Sequence, residues 1–249
     1  MKNSISFILC SKNDDYEGGA LSRLQTSLNH NLEITKTIDR EFIITDWGSD
    51  TPLESVITIP EEHKHCVRWL YVPKSVTEKY DSPFVEVLSL NAAARRSTKN
   101  FIARLDQDIL VGNSFMHLVT LNRFTENEFY FSNRRDFAKD QPVVCSQEKV
   151  FISPYGSPYY HYAVGMLLIP KDLWFKVKGY NESMIYYCHM EHDFIARCDK
   201  HASLINLGAE TNFDFYHLYH ERQQGKAKKL NTLNMPFIND DNWGLINEL

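Results

Sequence analysis

Residues 101–112 read FIARLDQDILVG, an apolar run that Asp106 and Asp108 interrupt before it resumes. This pattern is typical of a buried strand that ends at a functional edge. In a strand, side chains at i and i+2 share a face, so the two carboxylates can converge on one hard cation such as Mg²⁺ or Mn²⁺. A turn with two solvated aspartates explains the same pair, because aspartate is common in turns. The pair alone does not decide between these interpretations.

Two earlier segments have the same form, an apolar strand that ends in polar residues. Residues 4–10, SISFILC, lead into SKNDD, and EFIITDW ends at Asp46 before the turn GSDTPL. A leucine stripe predicts a helix over residues 19–29 between them. Strand, helix, strand predicts a mostly parallel sheet, whose ligands lie beyond the carboxyl ends of the strands. Residues 11–15, 46–50 and 106–108 are then three rims of one crevice.

The rest of the chain continues this α/β alternation. A strand is predicted at residues 65–72 and a helix at residues 83–96, which ends in Arg95 and Arg96 before the D-x-D strand. An arginine there can meet a phosphate, or it can complement the helix dipole in solvent. Further helices are predicted near residues 114–121, 170–177 and from 191 onward, and further strands at residues 129–133 and 203–208.

Composition excludes several classes of protein. The chain has 249 residues, 43% hydrophobic content and a net charge of −5, which suits one packed domain without a nucleic-acid partner. No apolar run approaches the about 18 residues of a transmembrane helix, and the first strand is too short for a secretory signal. The five cysteines have no C-x-x-C spacing, which favours free thiols. We therefore expect a cytoplasmic protein without a transmembrane segment.

Two further stretches carry groups that can do chemistry. In GYNESMIYYCHMEHDFIARC, Glu191 and Asp193 stand at the start of a predicted helix. The helix dipole stabilises carboxylates at this position, which explains them without a catalytic role. One of the two can also serve as a general base at the edge of a pocket. In DFYHLYHER, His217 and His220 are candidate metal ligands, although a lone histidine is more often structural.

These motifs, in this order, resemble the GT-A glycosyltransferases, and the family-2-like enzymes most of all. The likeness is carried by ISFILCSKND, EFIITDWGSDTPL, NAAARRSTKNFIARLDQDIL and KGYNESMIYYCHMEHDFIARC, the last of which is similar to the galactosyltransferase-type C-terminal region. It covers roughly residues 4–220. The resemblance implies a GT-A fold, a nucleotide-diphosphate-sugar donor, a saccharide or glycoconjugate acceptor, and Mn²⁺ or Mg²⁺ as cofactor.

The resemblance also implies roles for individual residues. It implies that Asp108 binds the metal directly, that Asp106 contacts the ribose or the metal through its bound water, and that a late histidine, His217 or His220, completes the site. Either Glu191 or Asp193 is implied as the base, since His192 interrupts the usual acidic pair. The remaining implied contacts are Ser11, Asp14, Asp46, Arg95, Asp106 and Gln107 for the nucleotide sugar, and Asn181, Glu182 and Tyr186 for the acceptor.

We expect one domain, with a nucleotide-binding half at residues 1–112, an acceptor-binding half at residues 113–222, and a tail or lid at residues 223–249. The leading hypothesis is an inverting, metal-dependent transfer of a sugar, with a UDP-sugar as the expected donor. A non-catalytic module that binds sugars or nucleotide sugars is the alternative on the same fold. A sugar nucleotidyltransferase ranks lower, because SKNDDYEGGALSR lacks the basic, glycine-rich phosphate loop of such enzymes.

Overall fold

The apolar segments of the sequence form the strands of two sheets. The computed structural model describes residues 2–137, 139, 143, 151–152, 166–208, 214–221 and 229–249. The strands are β1 (Ile5–Ser11), β2 (Arg40–Asp46), β3 (Val67–Tyr71), β4 (Phe101–Leu105), β5 (Ile109–Val111), β6 (Glu128–Ser132), β7 (Arg135–Asp136), β8 (Phe151–Ile152), β9 (Met166–Pro170), β10 (Ser203–Asn206) and β11 (Phe215–His217). The tyrosine-rich loop at residues 153–162, where acceptor specificity is expected, lies outside the described residues.

The helices alternate with these strands, as the sequence predicts. They are α1 (Ala20–Ile34), α2 (Leu53–Val56), α3 (Lys74–Thr77), α4 (Glu86–Arg95), α5 (Asn113–Thr120), α6 (Lys171–Lys176) and α7 (Met190–Cys198), with a 3₁₀ helix at Glu61–Cys66. Within the described ranges, no helix has both the length and the apolar character needed to cross a membrane.

A seven-stranded sheet in the order β10-β6-β9-β4-β1-β2-β3 forms the centre of the molecule. Four strand pairs are parallel: β1 with β2, β1 with β4, β2 with β3, and β6 with β10. Only β9 runs against its neighbours, β4 and β6. The predicted mostly parallel sheet is confirmed, and the carboxyl ends of β1, β2 and β4 lie at one edge.

Successive strand residues point to opposite faces of the sheet, and each face has its own apolar core. Ile8 and its strand neighbours pack on one side against α4, α6 and α7, where Trp174 and Phe194 are fully buried. Phe7 and its neighbours pack on the other side against α1 and α5. Helices therefore cover both faces, which leaves the sheet edges for polar side chains.

A second, four-stranded sheet in the order β5-β11-β7-β8 lies next to the D-x-D segment. In it β11 pairs antiparallel with β5, so that His217 lies opposite Ile109, and parallel with β7, so that His217 lies opposite Asp136. Gly112 directly follows β5 and lies against Asp214, the residue before β11: a Cβ atom at Gly112 would lie 2.1 Å from the Asp214 carboxylate. This small sheet brings the late histidines to the D-x-D segment.

The D-x-D pair itself differs from the expectation of two carboxylates on one strand face. Strand β4 stops at Leu105, and residues 106–108 form a turn in which the Ile109 amide donates to the Asp106 carbonyl at 3.2 Å. A turn does not keep side chains i and i+2 on a common face. Asp106 and Asp108 accordingly contact different partners.

Residues 229–249, the C-terminal strap, pack against the segment that follows α6. The Asn239 side chain donates to the carbonyls of Lys178 and Tyr180, each at 2.7 Å. Trp243 is 2% exposed and lies over the Arg95 guanidinium at 4.9 Å. The described part of the tail is thus bound to the domain through backbone and side-chain contacts.

Candidate active site

Asp108, His217 and His220 form the one group in the described part of the chain that has the donor atoms and spacing of a metal site. One donor atom from each lies within 4.8 Å of the others. His217 Nε2 is 3.4 Å from Asp108 Oδ1, and His220 Nε2 is 3.6 Å from Asp108 Oδ2. The register of β11 fixes this arrangement, because the Leu218 amide donates to the Asp108 carbonyl at 3.0 Å.

The donor set fits a divalent transition metal. One carboxylate and two imidazole nitrogens suit Mn²⁺ better than Ca²⁺, which prefers oxygen ligands throughout. Burial lowers the pKa of His220, which favours the neutral imidazole that binds metals. Sequence reasoning expected one histidine, and the structure brings both to Asp108.

Two further carboxylates contact the distal nitrogens of these histidines. Glu17 Oε2 is 2.6 Å from His220 Nδ1, and Asp136 Oδ1 is 3.2 Å from His217 Nδ1. Such contacts fix the tautomer and orientation of a metal-binding imidazole. The predicted metal role of Asp106 has no support in this geometry, because Asp106 is absent from the group and its oxygens contact arginines instead.

Arg23 on α1 is a buried cation beside the group that sequence reasoning missed. Its Nε is 3.3 Å from Asp108 Oδ2, and its Nη2 donates to the Tyr16 carbonyl at 2.9 Å. The guanidinium therefore joins the loop after β1 to Asp108. Nothing in the sequence of α1 distinguishes Arg23 from an ordinary helix-surface arginine.

A second ionic cluster surrounds the buried Arg104 of β4. Its Nη2 lies 2.6 Å from Glu86 Oε1, 2.7 Å from Asp106 Oδ1 and 3.4 Å from Glu191 Oε1. Arg134 adds a contact to Asp106 at 3.2 Å. The cluster ties the D-x-D turn to the start of α7. Its one signal in the sequence is a charged residue inside the apolar FIARL strand.

Glu191 has the properties of a proton acceptor at neutral pH. Burial raises the pKa of Glu191 to about 7, with Arg104 opposing the rise and Glu86 adding to it. Its side chain remains 13% exposed, which leaves a path to solvent. A carboxylate with a pKa near the working pH is well matched to general-base catalysis.

Asp193 faces a different environment from Glu191. Its Oδ2 accepts from Arg197 Nε at 3.0 Å and from Nη2 at 2.8 Å, one helical turn along α7. Arg197 in turn donates to the Val177 carbonyl at 2.6 Å. The two acids that the sequence left as alternatives are therefore separated by structure: Glu191 belongs to the Arg104 cluster, whereas Asp193 belongs to a helix ion pair.

The three predicted rims meet at the carboxyl edge of the sheet. Ser11 and Asp46 are register partners, and the Ser11 hydroxyl contacts the Gln107 side chain. Asp46 is 2% exposed, and its carboxylate accepts from the amides of Ser49 and Leu53 at 3.0 and 2.8 Å. Asp46 therefore shapes the turn after β2. Asp14 lies on the exposed loop and accepts from the Tyr16 amide at 3.1 Å.

Arg95 does not join this edge. It ends α4, which leads into the start of β4, whereas the D-x-D turn follows the end of β4. Its guanidinium lies over Trp243 and donates to the Asp241 carbonyl at 3.0 Å. The predicted contact of Arg95 with the nucleotide is therefore replaced by a structural contact with the strap.

Of the three predicted acceptor residues, two contact the strap and one is more accessible. Asn181 is fully buried and donates to the Pro236 carbonyl at 3.1 Å, and Glu182 accepts from the Gly244 amide at 2.8 Å. Both side chains hold the strap. Tyr186 is more accessible: its hydroxyl lies 3.4 Å from Asp81 Oδ2 and 3.3 Å from the Lys229 ammonium.

Comparison with known proteins gives similarity in structure but not in sequence. No family model and no curated protein matches the chain. The catalytic domain of Drosophila β1,4-galactosyltransferase 7, solved with xylobiose, superposes with a TM-score of 0.55 at 12% identity, over 93% of this chain and 77% of that one. A mutant of the same enzyme in complex with manganese, UDP-Gal and xylobiose gives the same values.

A bacterial structure is similar to the same degree. Residues 1–349 of S. aureus TarS superpose with a TM-score of 0.55 at 13% identity, over 86% of this chain and 60% of that one. Identities this low establish the fold alone. Together with the observed sheet order, these likenesses show that the chain has the fold of the GT-A glycosyltransferases.

Proposed function

We propose that the protein is a metal-dependent, inverting glycosyltransferase that moves a sugar from a nucleotide-diphosphate donor, a UDP-sugar, to a hydroxyl of a saccharide or glycoconjugate. The observation that carries the proposal is the Asp108–His217–His220 group on a GT-A fold. Glu191, the proposed base, belongs to the Arg104 cluster, which also holds Asp106 of the D-x-D turn. The related Drosophila enzyme was solved with manganese, UDP-Gal and xylobiose, which supports this choice of cofactor and substrates.

In this proposal, Asp108, His217 and His220 hold Mn²⁺ or Mg²⁺, while Glu17 and Asp136 orient the imidazoles. A cation held by these residues would supply positive charge to stabilise a departing diphosphate. Ser11, Asp14, Asp46 and Gln107 line the crevice for the nucleoside. Asp46 acts there through the turn that it shapes.

Glu191 performs the proton transfer. Its carboxylate takes the proton of an acceptor hydroxyl while that oxygen bonds to the anomeric carbon of the donor. The bond from that carbon to the diphosphate breaks, and its electron pair leaves with the diphosphate. Attack from the face opposite the leaving group inverts the configuration. Arg104 holds Glu191 in place and favours its ionised form.

Nucleotide release tests the proposal. The purified protein is incubated with a panel of UDP-, GDP- and dTDP-sugars, Mn²⁺ and mixed saccharides, and free nucleotide diphosphate is measured. We expect release with a UDP-sugar, and a loss of about 100-fold or more in Asp108→Asn. Asp199→Asn, an exposed acid at the end of α7, serves as the matched control.

Full release by Asp108→Asn would contradict the metal assignment. Binding of nucleotide diphosphate and Mn²⁺ without turnover under any acceptor would instead favour the non-catalytic binding module.

A further inference from the structure

Arg134, in the short segment between β6 and β7, lies between the metal group and the Arg104 cluster. Its Nε donates to Asp136 Oδ1 at 3.1 Å, and its Nη1 donates to Asp106 Oδ2 at 3.2 Å. The two contacts use different nitrogens of one planar guanidinium, which fixes their directions. The Arg134 side chain is 15% exposed, so solvent screens these contacts only in part. Arg134 therefore sets the spacing of two carboxylates that belong to different parts of the site.

Asp136 joins Arg134 to the metal group. The oxygen that accepts from Arg134, Oδ1, is also 3.2 Å from His217 Nδ1. The parallel pairing of β7 with β11 places Asp136 opposite His217, so the backbone register supports the same contact. A carboxylate at the distal nitrogen orients a metal-binding imidazole. Arg134 gives this carboxylate a second fixed partner, which restricts its rotamers and, through them, the His217 ring.

Asp106 joins Arg134 to the proposed base. Its Oδ1 is 2.7 Å from Arg104 Nη2, and the same nitrogen is 3.4 Å from Glu191 Oε1. The Arg104 side chain is 5% exposed, and a buried cation is held by all of its carboxylate partners together. The position of Asp106 therefore bears on how Arg104 meets Glu191. The charged groups that connect the metal group with the base are, in order, His217, Asp136, Arg134, Asp106, Arg104 and Glu191.

An arginine at such a site can instead bind the diphosphate of a donor directly. The geometry of Arg134 argues against this role, because its Nε and Nη1 face Asp136 and Asp106. The negative charge of these carboxylates disfavours a phosphate at the same nitrogens.

We propose that Arg134 is a positioning residue, which acts through Asp136 and Asp106 to hold the metal-binding His217 and the base Glu191 in fixed relative positions. The inference rests on the proposed function where it concerns Glu191, whereas its effect on His217 concerns metal binding alone. Lysine is not an adequate replacement, because one ammonium group does not reproduce two contacts from separate nitrogens of a planar group.

Calorimetric titration of the full chain with Mn²⁺ alone tests the connection to His217. We expect Arg134→Gln and Arg134→Lys each to weaken Mn²⁺ binding by about three- to tenfold, and Asp136→Asn by about tenfold. The double variant Arg134→Gln/Asp136→Asn should bind within about twofold of Asp136→Asn, since Arg134 acts through that carboxylate. Arg123→Gln is the matched control and should bind like wild type, because Arg123 forms a partly exposed ion pair with Glu128.

Three results would overturn the proposal: wild-type Mn²⁺ affinity in Arg134→Gln, additive losses in the double variant, or no Mn²⁺ binding to wild type. Circular dichroism and thermal unfolding check that each variant folds. If Arg134→Gln does not fold, Arg134→Lys carries the test, because it keeps the positive charge while changing the geometry.

Turnover of a UDP-sugar at saturating Mn²⁺ tests the connection to Glu191. We expect Arg134→Gln to lower kcat by about tenfold and to change the KM for the donor by less than about threefold, because a displaced base slows the chemical step. A raised KM with unchanged kcat would show direct donor binding by Arg134 and would overturn the proposal. If wild type turns over no donor, the proposed function fails, and the Mn²⁺ affinities alone decide whether Arg134 positions His217.

Discussion

Two acids two residues apart on α7 show how far environment, rather than residue type, decides a role. Glu191 lies among Arg104, Glu86 and Asp106, and burial raises its pKa to about 7. The Asp193 carboxylate forms an ion pair with Arg197. The sequence MEHDF offers both as bases, because helix phase alone does not reveal which side chain meets a buried arginine from another strand. We therefore propose Glu191 as the base.

The pH profile of transfer separates the two acids. A base must be deprotonated, so kcat/KM should rise with pH up to about 7 and then level off, following the raised pKa of Glu191. Glu191→Gln should lower kcat/KM by about 10²–10⁴-fold and abolish this acidic limb. Asp193→Asn should keep the profile and most of the activity, since it loses only a partly exposed ion pair. An acidic limb that persists in Glu191→Gln would reject this assignment.

At the scale of elements, the small sheet decides where the histidines lie. Gly112 allows β11 to approach, because a Cβ there would overlap the Asp214 carboxylate at 2.1 Å. That carboxylate cannot easily yield, since it accepts from the Ser114 amide at 2.5 Å and from the Tyr216 hydroxyl at 2.7 Å. The position of His217 therefore depends on the absence of a side chain at residue 112.

Gly112→Ala should both destabilise the protein and weaken its metal site. Overpacking of this kind costs about 1–3 kcal/mol, and the displaced β11 carries His217 with it. Thermal unfolding and Mn²⁺ titration measure the two effects. A variant with wild-type melting temperature and wild-type Mn²⁺ affinity would show that the close contact of β5 and β11 does not set the site.

The C-terminal strap is the other element whose role appears only in three dimensions. Trp243 is 2% exposed, with Arg95 over its ring and Phe175 edge-on at 5.3 Å. Trp243→Ala should lower the free energy of unfolding by about 3–5 kcal/mol, as for other buried aromatics. Leu233→Ala in the same strap should change it by less than about 0.5 kcal/mol, because Leu233 is 61% exposed. Equal, small effects in denaturant unfolding would mean that the strap does not support the domain.

At the scale of the whole molecule, the sequence predicted the architecture better than the site. Apolar strands with polar ends repeat regularly, so the parallel sheet and its functional edge followed from periodicity. Strands of two or three residues, such as β7 and β11, carry no periodic signal, and the meeting of both histidines with Asp108 was out of reach. Arg23, Arg104 and the separation of Asp106 from Asp108 depend on side-chain directions that only tertiary packing sets.

The central claim is that Asp108, His217 and His220 form a divalent-metal site, and calorimetric titration of the purified protein with Mn²⁺ tests it most directly. Wild type and Asp199→Asn should bind a single Mn²⁺ with equal affinity. Asp108→Asn, His217→Ala and His220→Ala should each weaken binding by about tenfold or more, since each removes a ligand. Wild-type affinity in all three variants, with their folds intact by circular dichroism, would contradict the account.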